Sequence, residues 1–132
     1  MTEHLEQATH NENFCANIEK EFSEQFFDWK VTVLFYVALH LLKARSSQLS
    51  RDIGETHFDI NKNANPNRDN VLRLSKGAWE LYHLLYRTSQ TARYEGITDF
   101  DTFQALKKAD YIICQEALRK FKLYLNGVGL KC

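Results

Sequence analysis

Apolar residues recur along this chain at three- and four-residue intervals, the spacing that places side chains on one face of an α-helix. Four segments carry this pattern strongly enough to predict helices, at about residues 2–25, 28–48, 67–92 and 100–126. The second segment is the most apolar and is rich in β-branched residues, so a strand is the competing interpretation. Its length favours a helix, because strands rarely exceed about ten residues.

Residues 49–66, LSRDIGETHFDINKNANP, lose this periodicity and collect Gly54, Pro66 and three asparagines. We predict one long loop here, and loops of this length in compact domains are often functional. Four long helices with otherwise short links predict a single all-α domain over residues 1–132. Its expected architecture is an antiparallel, up-and-down bundle of four or five helices.

The composition is ordinary for a globular domain, but the charges are unevenly distributed. Of the 132 residues, 44% are hydrophobic, and 17 basic residues balance 17 acidic ones. Residues 1–30 carry seven acids and two bases, a net charge of −5, whereas residues 43–93 carry nine bases and five acids, a net charge of +4. Either the solvated helix faces simply differ, or the middle of the chain forms a basic surface that holds phosphates.

The cysteines and histidines do not form a recognisable metal motif. Cys15, Cys114 and Cys132 lack metal-ligand spacing, and the acidic, polar start of the chain is not a secretory signal. The apolar run at residues 31–42 is shorter than the roughly 20 residues that a membrane span needs. We therefore expect a cytoplasmic protein with Cys15 and Cys114 in its core, no membrane contact, no metal and no cofactor.

The second helix carries polar residues at four-residue spacing: Asp28, Thr32, Tyr36 and His40. This spacing aligns side chains along one face of a helix. The stripe either meets solvent or forms hydrogen bonds across the bundle, or it floors a cleft. In the last case His40 would carry a proton or bind a phosphate.

Two further segments combine residue types that act on RNA. In RDIGETH, residues 51–57, Arg51 would hold phosphate oxygens while His57 moves a proton, although this spacing also arises by chance in solvated loops. The segment LYHLLYRTSQTARYEG, residues 81–96, interleaves aromatic rings with Arg87 and Arg93. Surfaces that bind single-stranded RNA have this composition, and core packing of the rings is the alternative.

The blocks DWKVTVLFYVALHLLKA and YHLLYRTSQTARY, read in this order, resemble the bacterial and archaeal branch of the HEPN superfamily. Its pattern is DW…FY.ALH…A on one helix and Y..L…S..ARY at the end of the next. The matching residues are Asp28, Trp29, Phe35, Tyr36, Ala38, Leu39, His40, Ala44, Tyr82, Leu85, Ser89, Ala92, Arg93 and Tyr94. The resemblance spans about residues 28–96, roughly half of the chain.

This resemblance implies a compact helical bundle that forms a symmetric homodimer. Catalytic family members are metal-independent RNases with an arginine and a histidine four to six residues apart, and they serve as toxins in toxin–antitoxin and defence systems. Other members are non-catalytic modules that bind RNA or a partner protein. The family motif usually opens a helix late in the bundle, whereas RDIGETH lies in the predicted loop after the second helix.

On this basis we predict a protein that binds or cleaves RNA, with a non-catalytic dimerising adaptor as the alternative. Its expected partners are RNA, a second copy of the chain and a cognate antitoxin. The expected catalytic residues are Arg51 and His57. The expected residues of the RNA-binding cleft are His40, Tyr36, Arg68, Arg87, Arg93 and Tyr94.

Overall fold

The computed structural model describes residues 2–95 and 108–132, and these residues fold into helices and connecting turns without any strand. The α-helices are α1 Thr2–Glu21, α2 Phe27–Leu49, α3 His57–Ala64, α4 Lys76–Gln90 and α5 Lys108–Gly127. A π-helical turn, Thr91–Glu95, continues α4. The prediction of an all-α helical bundle is confirmed.

The central element is α2, which packs against α1, α4 and α5. Its buried positions include Val31, Val37, Ala38, Leu41 and Leu42, each at most 1% exposed. Burying a Val or Leu side chain stabilises a fold by about 1.5–3 kcal/mol, so this helix contributes a large share of the core. The cysteines predicted to be core residues, Cys15 and Cys114, are buried as well.

Contacts at the helix ends give the direction of each pair. α1 and α2 are antiparallel, because His4 meets His40 at one end and Glu19 meets Lys30 at the other. α4 and α5 are also antiparallel, because the backbone N–H of Ser75, just before α4, donates to the hydroxyl of Tyr124 near the end of α5. The two pairs form the up-and-down arrangement, with α3 as an additional short helix.

The structure differs from the predicted loop at residues 49–66, because α3 lies inside it. The Thr56 hydroxyl caps this helix by accepting the backbone N–H of Asp59 at 3.1 Å. Ile60 and Ala64 on α3 are buried, so the short helix is held against the core. The segment 49–66 is therefore an anchored connection rather than a long irregular loop.

The third predicted helix begins nine residues later than expected, at Lys76 rather than at residue 67. Ser75 caps it by accepting the backbone N–H of Ala78 at 3.1 Å. The preceding residues cannot be helical, because Asn70 and Arg73 have left-handed backbone angles, with φ of 44° and 54°. Leu74, which follows this turn, is buried. Its match to the helical spacing of apolar residues therefore arises because it anchors the turn to the core, and not because it lies on a helix.

The other bounds agree to within a few residues. α1 ends at Glu21 rather than at residue 25, and α5 ends at Gly127 rather than at residue 126. The predicted turn around Gly96 and the predicted start of the last helix at residue 100 lie outside the described residues. None of the helices in the described ranges is long and apolar enough to cross a membrane.

Candidate functional site

Four rings lie nearly parallel where the start of α3 meets α4, and we call them the imidazole–aromatic cluster: His57, Trp79, His83 and Tyr86. The His57 ring stacks on Tyr86 with centroids 3.5 Å apart and an interplanar angle of 8°. His83 lies 6.3 Å from His57 and 5.8 Å from Trp79, at angles of 17° and 15°. The fold therefore places two imidazoles side by side, in contact with aromatic rings.

Both helices position the cluster through ordinary sequence features. His57 is the first residue of α3, immediately after the capping residue Thr56. On α4, Trp79, His83 and Tyr86 are spaced by four and three residues, so they project from one face of the helix. The ring of His57, at the start of α3, contacts that face through His83 and Tyr86.

The two imidazoles of the cluster favour their neutral forms. Burial lowers the pKa of His57, and the nearby His83 lowers it further. Burial also lowers the pKa of His83, with a smaller effect from the positive charge of Arg87. A neutral imidazole has one N–H donor and one acceptor nitrogen, so at neutral pH each ring carries one group of each kind.

Arg93 lies on the π-helical turn and faces α2. Its Nη1 donates to the Tyr36 hydroxyl at 2.8 Å, and its Nε and Nη2 donate to the carbonyl and hydroxyl of Ser89 at 3.4 and 3.3 Å. The guanidinium carbon lies 5.4 Å from the ring centroids of both Phe35 and Tyr36. Short π-helical turns often occur at functional sites, and this one holds a guanidinium over aromatic rings.

The arginine group and the imidazole–aromatic cluster are continuous. The Phe35 ring lies 5.6 Å from Tyr86, and Tyr86 stacks on His57. A connected path of rings therefore runs from the guanidinium of Arg93 to the imidazole of His57. We call the cluster together with Phe35, Tyr36 and Arg93 the candidate site.

The structure places the predicted catalytic pair in separate environments. Arg51 is exposed, and its Nη1 donates to the carbonyl of Val71 at 3.0 Å. The carbonyl of Arg51 accepts a hydrogen bond from the Ser46 hydroxyl. His57 contacts α4, and among the described residues no hydrogen bond or ring contact joins it to Arg51. The catalytic roles of the pair thus stay a prediction.

The remaining predicted arginines and Tyr94 are less closely connected to the candidate site. Arg68 is exposed in the turn after α3, where its backbone N–H donates to the carbonyl of Asn65 at 2.9 Å. Arg87 is exposed on α4, one turn after His83, and adds positive charge beside the cluster. Tyr94 belongs to the π-helical turn, and its side chain lies outside the described part of the structure.

His40 faces α1 rather than α4. Its Nδ1 lies 3.0 Å from the Nδ1 of His4, and the two ring centroids are 5.3 Å apart. Burial lowers the pKa of His40, with further lowering by His4 and Lys43. His40 and Tyr36 line an open groove of about 430 Å³ between α1 and α2. The stripe on α2 thus forms hydrogen bonds across the bundle, through Tyr36 to Arg93 and through His40 to His4.

The sequence-based site prediction left out four residues of the candidate site: Phe35, Trp79, His83 and Tyr86. The signal for three of them was their spacing on one helix face, at residues 79, 83 and 86. Within residues 2–95 and 108–132, no three histidine, cysteine or acidic side chains are grouped to hold a metal ion.

No known protein family, curated protein or solved structure was found to match this chain. The resemblance to the HEPN superfamily therefore stays a prediction that rests on the residues quoted for it.

Proposed function

We propose that this protein binds single-stranded RNA at the candidate site. The observation that supports this most is the connected path of rings from His57 to Phe35, which ends beneath the guanidinium of Arg93. Phe35 is buried, so the rings here on which nucleic-acid bases can stack are the half-buried His57, His83 and Tyr86, at about 1–3 kcal/mol per base. Arginine binds phosphate with directed N–H groups. Arg87 adds a second positive charge at the edge of the rings.

Binding of fluorescently labelled single-stranded RNA, followed by anisotropy, tests this proposal. We expect His57→Ala and Arg93→Ala each to weaken binding about tenfold, or ~1.4 kcal/mol. The matched controls are His10→Ala on α1 and Arg119→Ala on α5, both exposed and outside the site. They should bind like the wild type, apart from a small electrostatic effect of Arg119. Equal binding by wild type, His57→Ala and Arg93→Ala, all folded by circular dichroism, would contradict the proposal.

The purified wild type and labelled RNA also test the catalytic prediction that the HEPN resemblance implies. RNA cleavage in the presence of EDTA, lost in both Arg51→Ala and His57→Ala, would make the protein a metal-independent RNase. Growth arrest in bacteria that express the wild type but not these variants would support a toxin with a cognate antitoxin. Binding without cleavage and without toxicity would leave a non-catalytic RNA-binding module.

A second candidate function, association with another copy of the chain, is favoured by aromatic side chains exposed along α1 and α2. Trp29 is 61% exposed and Phe14 is 53% exposed, and the surface continues through Val33 and Tyr36 along the groove. In a two-fold dimer each surface meets its own copy, so an uncharged surface avoids like-charge repulsion. We propose that these residues form a homodimer interface, as the HEPN resemblance implies.

The oligomeric state in solution tests this second proposal. We expect a dimer by light scattering coupled to size-exclusion chromatography, and a monomer for Trp29→Ser. Leu123→Ser on α5 is the matched control, because Leu123 is 59% exposed and does not line the groove between α1 and α2. A monomeric wild type at high concentration would rule the interface out.

A further inference from the structure

The two ring nitrogens of His57 have different surroundings. Nδ1 is enclosed, and no group in the described part of the chain forms a hydrogen bond with it. The side chain as a whole is only half-buried, and Nε2 is not among the enclosed polar atoms that lack a partner. Nε2 is therefore the nitrogen positioned to meet water or a ligand.

This asymmetry determines where the proton resides. A neutral imidazole carries its proton on one nitrogen, and an enclosed N–H with no acceptor costs free energy. The proton therefore favours Nε2, where solvent can accept its hydrogen bond. A doubly protonated ring would place a charged N–H at the enclosed Nδ1, which costs more still.

Two further groups oppose a positive charge on this ring. His57 is the first residue of α3, and the N-terminal end of a helix carries a partial positive charge. The ring of His83 lies 6.3 Å away and also lowers the pKa of His57. Tyr86, which covers one face of the ring, carries no formal charge to offset these effects.

We infer that His57 acts as a neutral hydrogen-bond donor through Nε2, toward an acceptor oxygen of RNA, and that Nδ1 stays unprotonated. This role differs from the acid–base role that the spacing from Arg51 suggested. A neutral imidazole cannot supply a proton to a leaving group without becoming an anion, and the enclosed Nδ1 cannot reach a ligand to accept one, so His57 orients the ligand instead. The choice of ligand rests on the proposed RNA-binding function, whereas the position of the proton does not.

Nitrogen-15 NMR of the histidine rings in the full-length protein tests the position of the proton without any RNA. At pH 7 we expect a pyrrole-type signal for Nε2 of His57 and a pyridine-type signal for Nδ1, assigned by their absence in His57→Gln. A proton on Nδ1, or an imidazolium at pH 7, would overturn the inference.

Two amide substitutions test the donor role in RNA binding. The amide nitrogen of His57→Gln reaches the position of Nε2, and that of His57→Asn reaches the position of Nδ1. We expect His57→Gln to bind RNA within about threefold of wild type, and His57→Asn to lose about tenfold, like His57→Ala. The ratio between wild type and His57→Gln should be equal at pH 7 and pH 8.5, where the imidazole is neutral.

The outcomes separate the inference from the function on which it rests. If no variant and no wild type binds RNA, the proposed function fails, and the NMR experiment still decides the protonation of His57. If RNA binds but His57→Gln is as weak as His57→Ala, the donor role fails and the proposed function stands. Thermal melting of each variant shows that the comparison is made between folded proteins.

Discussion

The junction between α1 and α2 contains a fully buried lysine, and its partners predict an unequal response to mutation. The Nζ of Lys30 donates to Glu19 Oε2 at 2.7 Å and to the carbonyl of Phe22 at 2.6 Å. It also lies 4.8 and 5.3 Å from the ring centroids of Phe27 and Tyr111. We predict that replacing Glu19 destabilises the protein more than replacing Lys30.

The magnitudes follow from what each substitution leaves behind. Glu19→Leu leaves an ammonium group buried without its carboxylate, and breaking a buried ion pair in this way costs about 3–5 kcal/mol. Glu19 is 35% exposed, so solvent screens the ion pair, and we expect Glu19→Leu to lower the free energy of unfolding by ~2–3 kcal/mol. Lys30→Met keeps most of the buried volume and lets Glu19 rehydrate. The carbonyl of Phe22 still accepts a hydrogen bond from the N–H of Gln25, so we expect Lys30→Met to lower the free energy of unfolding by ~1–2 kcal/mol.

Urea unfolding at pH 7, followed by circular dichroism, measures these differences as changes in midpoint at constant slope. The double variant should resemble Lys30→Met alone, because the unpaired buried charge is then absent. Glu24→Leu is the control, since its ion pair with Lys108 is exposed on both sides and should not change the midpoint. A larger loss for Lys30→Met than for Glu19→Leu would refute the reasoning.

Three further predictions concern stability. Burial lowers the pKa of His4 and His40, so the unfolded chain binds protons before the folded protein does as the pH falls. The melting temperature should therefore be highest above about pH 6.5 and should decline below it. An unchanged melting temperature between pH 7 and pH 5 would contradict this. The Tyr82 hydroxyl is enclosed with no hydrogen-bond partner in the described residues, so Tyr82→Phe should raise the free energy of unfolding by about 1 kcal/mol in urea titrations. Ser75→Ala should lower it by about 1 kcal/mol, and Ser75→Asp should retain the cap on Ala78 and stay near wild type.

The long helices were predictable because their apolar residues keep a helical period over many turns. α2 agrees with the prediction to within one residue at each end, since a face of buried residues continues along its length. α3 was missed although its signal is present, because Thr56 and Asp59 have the spacing of a helix N-cap and its third residue. Eight residues are too few for periodicity to stand out from a polar background.

The candidate site was only partly predictable, for a different reason. His57 was selected for its spacing from Arg51, but its ring contacts are Tyr86 and His83, and packing between helices creates them. No local pattern encodes which face of α4 will receive α3. The orientation of Arg93 toward α2 likewise depends on the π-helical turn, which adds one residue per turn and has no simple sequence rule.

The polar stripe on α2 shows how one pattern supports two structural roles. Each four-residue step on an α-helix advances about 40° beyond a full turn, so the residues from Asp28 to His40 cover about 120° of the surface. Thr32 donates to the carbonyl of Asp28 within its own helix at 2.8 Å, whereas Tyr36 reaches Arg93 and His40 reaches His4. His40 therefore joins α2 to α1, and Tyr36 is the residue of the stripe that belongs to the candidate site. Tyr36 also lines the groove between α1 and α2, so substitutions of Tyr36 should affect both RNA binding at the candidate site and dimer formation at the groove. His40→Gln should affect dimer formation alone.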